Sequence, residues 1–217
     1  MHARRSDRLA PRRRPRQARA QATSAAILEA AARVFAAHGY AAGTTNRIAE
    51  RAGVSVGSLY EYWPNKDAIL SALLERHLDE AHGVLAPLVA EARAGRRSLA
   101  AIVRGFVTAM VALHAHEPAL HRVLFEEAPI PARLRRGLVA IDAAMVDGIA
   151  ALLREHPDAR VADATLAATL VVHTVEALTH RLVLHLGRAA DREAWITEVT
   201  ALVVRYVAGD PRARPVA

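Results

Sequence analysis

The residues best equipped for chemistry lie between Thr44 and Lys66. This stretch carries hydroxyls at Thr44, Thr45, Ser55, Ser58, Tyr60 and Tyr62, glycines at Gly53 and Gly57, and Lys66, the single lysine beside 28 arginines. Such groups do not make a catalytic set. Hydroxyls and ammonium groups reach phosphate oxygens and base edges, and glycine lets a backbone approach a ligand closely. The arrangements an enzyme would need are missing. There is no His-Glu-x-x-His, no Glu-x-x-His, no glycine-rich phosphate loop and no Gly-x-Ser-x-Gly. A helical-bundle enzyme is the alternative from another class, but its di-iron chemistry needs paired Glu-x-x-His, and the nearest spacing is Asp79-x-x-His82. The absence of cysteine excludes disulfides and thiolate sites, and it fits a cytoplasmic location. No cofactor and no resident metal are expected.

The elements that hold these groups can be read locally. Thr44 is a good N-cap for a helix near 45–52, whose apolar side is Ile48, Ala49 and Ala52. Ala49 is small, as a close helix crossing requires. Gly53 stands where the chain must leave that helix with positive φ. Ser55 caps a second short helix near 56–62, and Leu59 returns to the core. Two helices joined by so short a turn form a helix-turn-helix. The outer face of the second helix presents Val56, Gly57, Ser58, Tyr60 and Tyr62. A first helix near 22–38 supplies Ile27, Ala31, Val34 and Phe35 as support, and Gly39 and Gly43 end it.

Charge is unevenly placed. Eight arginines and one aspartate fall within the first twenty residues, while the remaining chain is neutral. This segment is expected to be a disordered arm, either adding phosphate contacts to a neighbouring DNA-binding module or serving as a solvated tail. No uncharged run approaches the roughly 18 apolar residues a membrane span needs, so no membrane partner is expected.

At 53–67 the chain resembles the TetR family of bacterial repressors. The run Gly53-Val54-Ser55-Val56-Gly57-Ser58-Leu59-Tyr60-Glu61-Tyr62-Trp63-Pro64-Asn65-Lys66-Asp67 follows that family's pattern, and Phe35-Ala36-Ala37-His38-Gly39-Tyr40 matches the end of its first helix. The resemblance implies an all-α fold with an N-terminal three-helix DNA-binding domain and a C-terminal helical ligand-binding and dimerisation domain. It implies that Thr45 touches phosphate, that Val56, Gly57, Ser58 and Tyr60 face the major groove, and that Tyr62 and Lys66 grip the backbone. An ammonium at a helix N-terminus opposes the helix dipole, and a nearby phosphate would offset that cost. The expected partners are a palindromic double-stranded DNA operator, a small-molecule inducer and a second copy of the chain as a homodimer. Nonspecific architectural DNA binding is a further alternative, and it leaves the C-terminal part without a task.

The expected organisation is an arm at 1–20, the helix-turn-helix domain at 21–66, the helical ligand and dimer domain at 67–210 and a tail at 211–217. Long helices are expected near 98–115, 118–127, 132–156, 162–187 and 191–208, broken by Gly95, Pro118, Pro129, Pro131, Pro157 and Gly187. The helix at 162–187 has an apolar face that includes Val171, Val175 and Leu182, and the last helix a stripe of Trp195, Val199, Leu202, Val203 and Tyr206. These faces pair either with a symmetry mate as a four-helix bundle or with the chain's own core. Thr169, His173, Glu176 and His180 form a separate, semi-polar stripe. It could line a ligand cavity with apolar walls from Phe106, Met110, His114, Leu124, Phe125 and Met145, be a set of ordinary histidines, or hold a metal at His173, Glu176 and His180.

Overall fold

The computed structural model describes residues 18–95, 97–128, 130, 132–186 and 191–209, so most of the arginine-rich arm lies outside the described residues. These residues are helical, without a strand: α1 (Ala18–Ala42), α2 (Thr45–Ala52), α3 (Val56–Tyr62), α4 (Lys66–Arg93), α5 (Leu99–Ala115), α6 (Pro118–Arg122), α7 (Ala132–Glu155), α8 (Ala164–His180) and α9 (Arg192–Ala208). π-helical turns follow α6 at Val123–Glu127 and α8 at Arg181–Leu186. The all-α expectation holds, and no single helix is long and apolar enough to cross a membrane among the described residues.

Capping sets the starts. Ser98 accepts from the Ala101 amide at 3.3 Å, and the Asp163 carboxylate accepts from Thr165 and Leu166 at 2.9 and 3.0 Å. Asp163 therefore starts α8 at Ala164, two residues later than periodicity alone suggests. The first helix differs more. It begins at Ala18, so the last residues of the expected arm are helical, and it continues past 38 because Gly39 (φ 72, ψ 175) bends the chain without ending its hydrogen bonding. Gly43 donates to the Gly39 carbonyl at 3.1 Å across that bend. The expected continuous helices at 118–127 and 162–187 each change to a wider π turn, which residue type does not announce.

The chain divides into two compact units. The first comprises residues up to Asp79 together with Glu117–Gly137, and the second comprises Glu80–His116 and Leu138 onward. The division therefore lies further along α4 than the expected limit at 66, and 117–137 belongs with the N-terminal part. The reason is packing: α6 and the π turn after it lie against α1. Ile27, Ala31, Val34, Phe35, Ile48, Leu59, Ile69 and Leu73 are buried in the first unit. In the second, α5 packs on α9 and α8 around a core that includes Val107, Ala150, Ala168, Val175 and Leu182.

Gly43 is a tight point. A Cβ there would fall 2.4 Å from Phe35 Cδ1 and 2.9 Å from the Gly39 carbonyl oxygen. Gly43→Ala should therefore cost about 1–3 kcal/mol through overpacking. Gly137→Ala, on α7 with nothing within 4 Å, should gain roughly 0.5–1 kcal/mol from helix propensity. Urea unfolding of the two variants checks the contrast, and equal midpoints would contradict it.

Candidate functional site

The helix-turn-helix is built as its caps require. Thr44 Oγ1 accepts from the Arg47 amide at 3.4 Å, and Arg47 Nη1 donates to the Ala42 carbonyl at 3.2 Å. Gly53 is left-handed (φ 67, ψ 30), and the amides of Gly53 and Val54 close the end of α2 on Glu50 and Ala49. Ser55 Oγ accepts from the Ser58 amide at 3.0 Å and donates to Ser58 Oγ at 3.0 Å, which leaves the Ser58 hydroxyl proton available outward. Ile48, Ala49, Leu59 and Trp63 are buried, so α3 rests on its neighbours by its inner face.

The outer face is opposite. Val56 and Tyr60 are 38% and 40% exposed, Gly57 is exposed, and Ser58 and Tyr62 are half-buried. The Thr45 and Tyr60 hydroxyls lie 3.1 Å apart and so join the start of α2 to the middle of α3. This brings the expected Thr45, Val56, Gly57, Ser58 and Tyr60 onto adjoining helices. Thr44 serves as a cap.

Lys66 has partners within the protein. Its ammonium donates to the carbonyls of Tyr40 at 2.9 Å and Ala41 at 3.4 Å, and it stands 4.1 Å from the Tyr40 ring centroid. The cation at the start of α4 is thus offset inside the protein by the carbonyls ending α1 and by a π face, and needs no phosphate to justify it. Reasoning from sequence also missed Tyr40 itself. Its amide donates to Glu127 at 3.1 Å and its hydroxyl donates to Asp67. Burial raises the phenol's pKa above its ordinary value, and the bond to Asp67 and that carboxylate's charge raise it further. The cluster of aromatics at 35–63 was the signal available.

The second unit holds a partly open apolar cavity of about 50 Å³ lined by Leu88, Leu99, Ile102, Phe106, Ile149, Val171, Val203 and Val207 among others. Phe106 alone of the expected pocket residues lines it. His173 is exposed on α8, with Nε2 3.8 Å from Asp142 and Nδ1 3.7 Å from Glu176. Each ring nitrogen faces a different carboxylate. His180 instead lies edge-on to His114, with centroids 5.0 Å apart, so the imagined metal trio of His173, Glu176 and His180 is divided. Met110 and His114 are buried, Met145 packs against the core, and Phe125 belongs to the first unit, where its ring lies 4.4 Å from that of His121.

The expected dimer residues also separate. Val171, Val175, Leu182 and Val199 are buried within the chain, and Trp195 is half-buried against the same core. Most of their apolar face is taken up by α5 and its neighbours, while Trp195 stays partly exposed. Leu202 and Tyr206 remain exposed, at 52% and 45%, and α8 exposes Leu166 and Leu170 on the face opposite its core side.

The fold and the helix-turn-helix define a helix-turn-helix protein with a helical C-terminal unit. A family model described as bacterial regulatory proteins, tetR family, matches residues 27–73, and one described as tetracyclin repressor-like, C-terminal domain, matches residues 98–206. The chain belongs to the TetR family of bacterial regulatory proteins. It is 34% identical over 89 residues to the HTH-type transcriptional repressor KstR2 of Rhodococcus jostii, covering 41% of this chain and 44% of that one. It is 32% identical over 100 residues to the HTH-type transcriptional activator FasR of Mycolicibacterium smegmatis, covering 46% of this chain and 44% of that one. The chain therefore spans less than half the length of these curated relatives. Its fold is similar to that of AibR, solved in complex with isovaleryl coenzyme A and operator DNA, with a TM-score of 0.64 and 18% identity over 83% of this chain and 97% of that one.

His114 gives the second unit a pH dependence. Its Nδ1 lies 2.6 Å from the Met110 carbonyl, which can only accept, so that nitrogen carries the proton. Burial lowers its pKa below the ordinary 6.5, the nearby His180 adds to the lowering, and the Met110 bond and Glu176 oppose it. Below pH 6.5 the unfolded chain gains a proton that the folded one refuses. Stability is thus full above that value and is lost as pH falls toward the depressed folded pKa. Urea titrations on either side of that window should show a smaller acid loss in His114→Gln than in wild type, and identical losses would contradict the assignment.

Proposed function

We propose that the protein is a transcriptional repressor that binds a palindromic operator as a homodimer and releases it when a small, mainly apolar ligand occupies the second unit. The observation carrying this reading is the exposed face of α3, a short helix held from behind by Leu59 and Trp63 and joined to α2 by the Thr45 and Tyr60 hydroxyls. Val56, Gly57, Ser58 and Tyr60 read base edges in the major groove, and Thr45 and Tyr62 contact backbone phosphates. Lys66 fixes the turn at Tyr40 through its bonds to the Tyr40 and Ala41 carbonyls. The arginines preceding α1 add sequence-independent affinity. Such work goes with a cytoplasmic location.

Support for the ligand comes from the cavity. A cavity of roughly 150 Å³ takes up benzene, so one of about 50 Å³ holds only a small alkyl group before its walls must move. AibR, similar in fold, was solved with isovaleryl coenzyme A, whose branched acyl group is close to benzene in size and would fit here only once the walls had moved. A ligand releases DNA only to the extent that it prefers the conformation that does not fit the operator. Support for repression, as against activation, is the likeness to KstR2, while FasR is an activator. Exposed apolar residues on α8 and α9 support the dimer, and a two-fold axis gives a short reading helix two half-sites.

Two experiments test the reading. Selection from a random duplex library, followed by footprinting, should yield a palindrome. Ser58→Ala and Val56→Ala should then change base preference. Removing residues 1–17 should flatten the salt slope by about 0.9 for each phosphate no longer neutralised, while keeping that preference. Binding without a preferred sequence would favour the nonspecific architectural alternative. Sedimentation tests the seam: Leu170→Glu and Leu202→Glu should each shift the protein toward monomer, because each buries an unpaired charge in an apolar contact. A dimer that survives both changes would place the interface elsewhere.

A further inference from the structure

We propose that Glu127 is a positioning residue for the DNA-reading head, holding the turn between α1 and α2 in place from the end of the π turn at Val123–Glu127. This rests on the reading of α3 as the recognition helix. The starting point is Gly39, whose φ of 72° and ψ of 175° define a conformation essentially confined to glycine. A Cβ on Gly39 would lie 2.7 Å from Glu127 Oε2, so the carboxylate occupies the space that the missing side chain leaves.

The bend also turns the Tyr40 amide out of the helix, and that amide donates to the same Glu127 oxygen at 3.1 Å. Lys66 and Asp67, the first two residues of α4, hold the Tyr40 carbonyl and hydroxyl. Tyr40 is therefore fixed from two directions, by the start of α4 and by the end of the π turn.

Beyond Tyr40 lies the base of the reading head. The Gly43 amide returns to the Gly39 carbonyl, Arg47 donates to the Ala42 carbonyl, and Thr44 caps α2. The Thr45 and Tyr60 hydroxyls then pass that position on to α3. On the other side, Val123 and Leu124 are buried, while Glu127 is exposed at the end of the wider turn, which the Ala128 amide closes on the Val123 carbonyl at 3.0 Å. Ordinary α-helical winding would close that turn one residue earlier and carry Glu127 around the axis, away from Tyr40. A rearrangement at 123–127 would thus reach α2 as the loss of one acceptor.

The test compares full-length Glu127→Ala and Glu127→Gln with wild type, using amide hydrogen exchange without DNA and affinity for a duplex selected by the wild-type protein. In Glu127→Ala the Tyr40 amide should exchange about tenfold faster, and the duplex should bind roughly threefold to tenfold more weakly, the scale of one hydrogen bond. The urea midpoint should stay near wild type, because Val123 and Leu124 remain buried. Glu127→Gln should recover both properties, since its amide oxygen accepts the same hydrogen. Unchanged exchange at Tyr40, unchanged affinity in Glu127→Ala, or a glutamine variant that behaves like alanine would each overturn the role given to Glu127. A wild-type protein that selects no duplex would instead overturn the regulator reading on which it rests.

Discussion

A helix of seven residues makes barely two turns and does not persist alone in water. The exposed face of α3 depends on that constraint, because the helix must borrow its order from neighbours. Leu59 is fully buried and Trp63 nearly so, and Ser55 caps the N-terminus, while the Trp63 amide closes the other end on the Leu59 carbonyl. Ala49 belongs to the same solution, since a larger side chain on α2 would hold the two helices apart. Burying Leu59 contributes on the order of 1.5–3 kcal/mol, more than any exposed hydrogen bond on the outer face. Position therefore comes from the buried side, and the exposed side is left without a packing duty.

Electrostatics at the start of α4 follow the same logic of local compensation. A cation at a helix N-terminus is disfavoured, yet Lys66 meets two carbonyls and an aromatic face there. The carbonyls are open to it because α1 ends at Ala42, which leaves those of its last turn without helical partners. Asp67 then complements the dipole that Lys66 opposes, and it accepts from the Tyr40 hydroxyl.

Much of the first unit was legible in sequence because its signals are local. Thr44, Gly53 and Ser55 announce their caps by residue type, and α2 and α3 fall where those residues put them. The role of Lys66 was not legible, because its partners lie 25 and 26 residues earlier in the chain. Neither π turn has a residue signature. In the second unit, periodicity identified apolar faces on α8 and α9 without saying what covers them. Val175 and Leu182 read equally well as seam or core, and only tertiary packing resolves them as core. The stripe of His173, Glu176 and His180 comes apart for a related reason. It lies at the edge of the buried face, where a small rotation sends His173 to solvent and His180 toward His114.

The walls of the cavity limit what a ligand there can be selected by. Every lining residue is apolar, so there is no donor or acceptor whose loss would penalise an incorrect ligand. Discrimination then rests on volume, where one methylene is worth only about 1–3 kcal/mol. A polar isostere is rejected by desolvation, since nothing in the walls would meet its hydrogen bonds. Fine selectivity in such a site would come from how far α4, α5 and α7 can separate around Leu88, Phe106 and Ile149. The helices that select the ligand would then be those that its binding displaces, and α4 also contributes its first residues to the unit that carries α3.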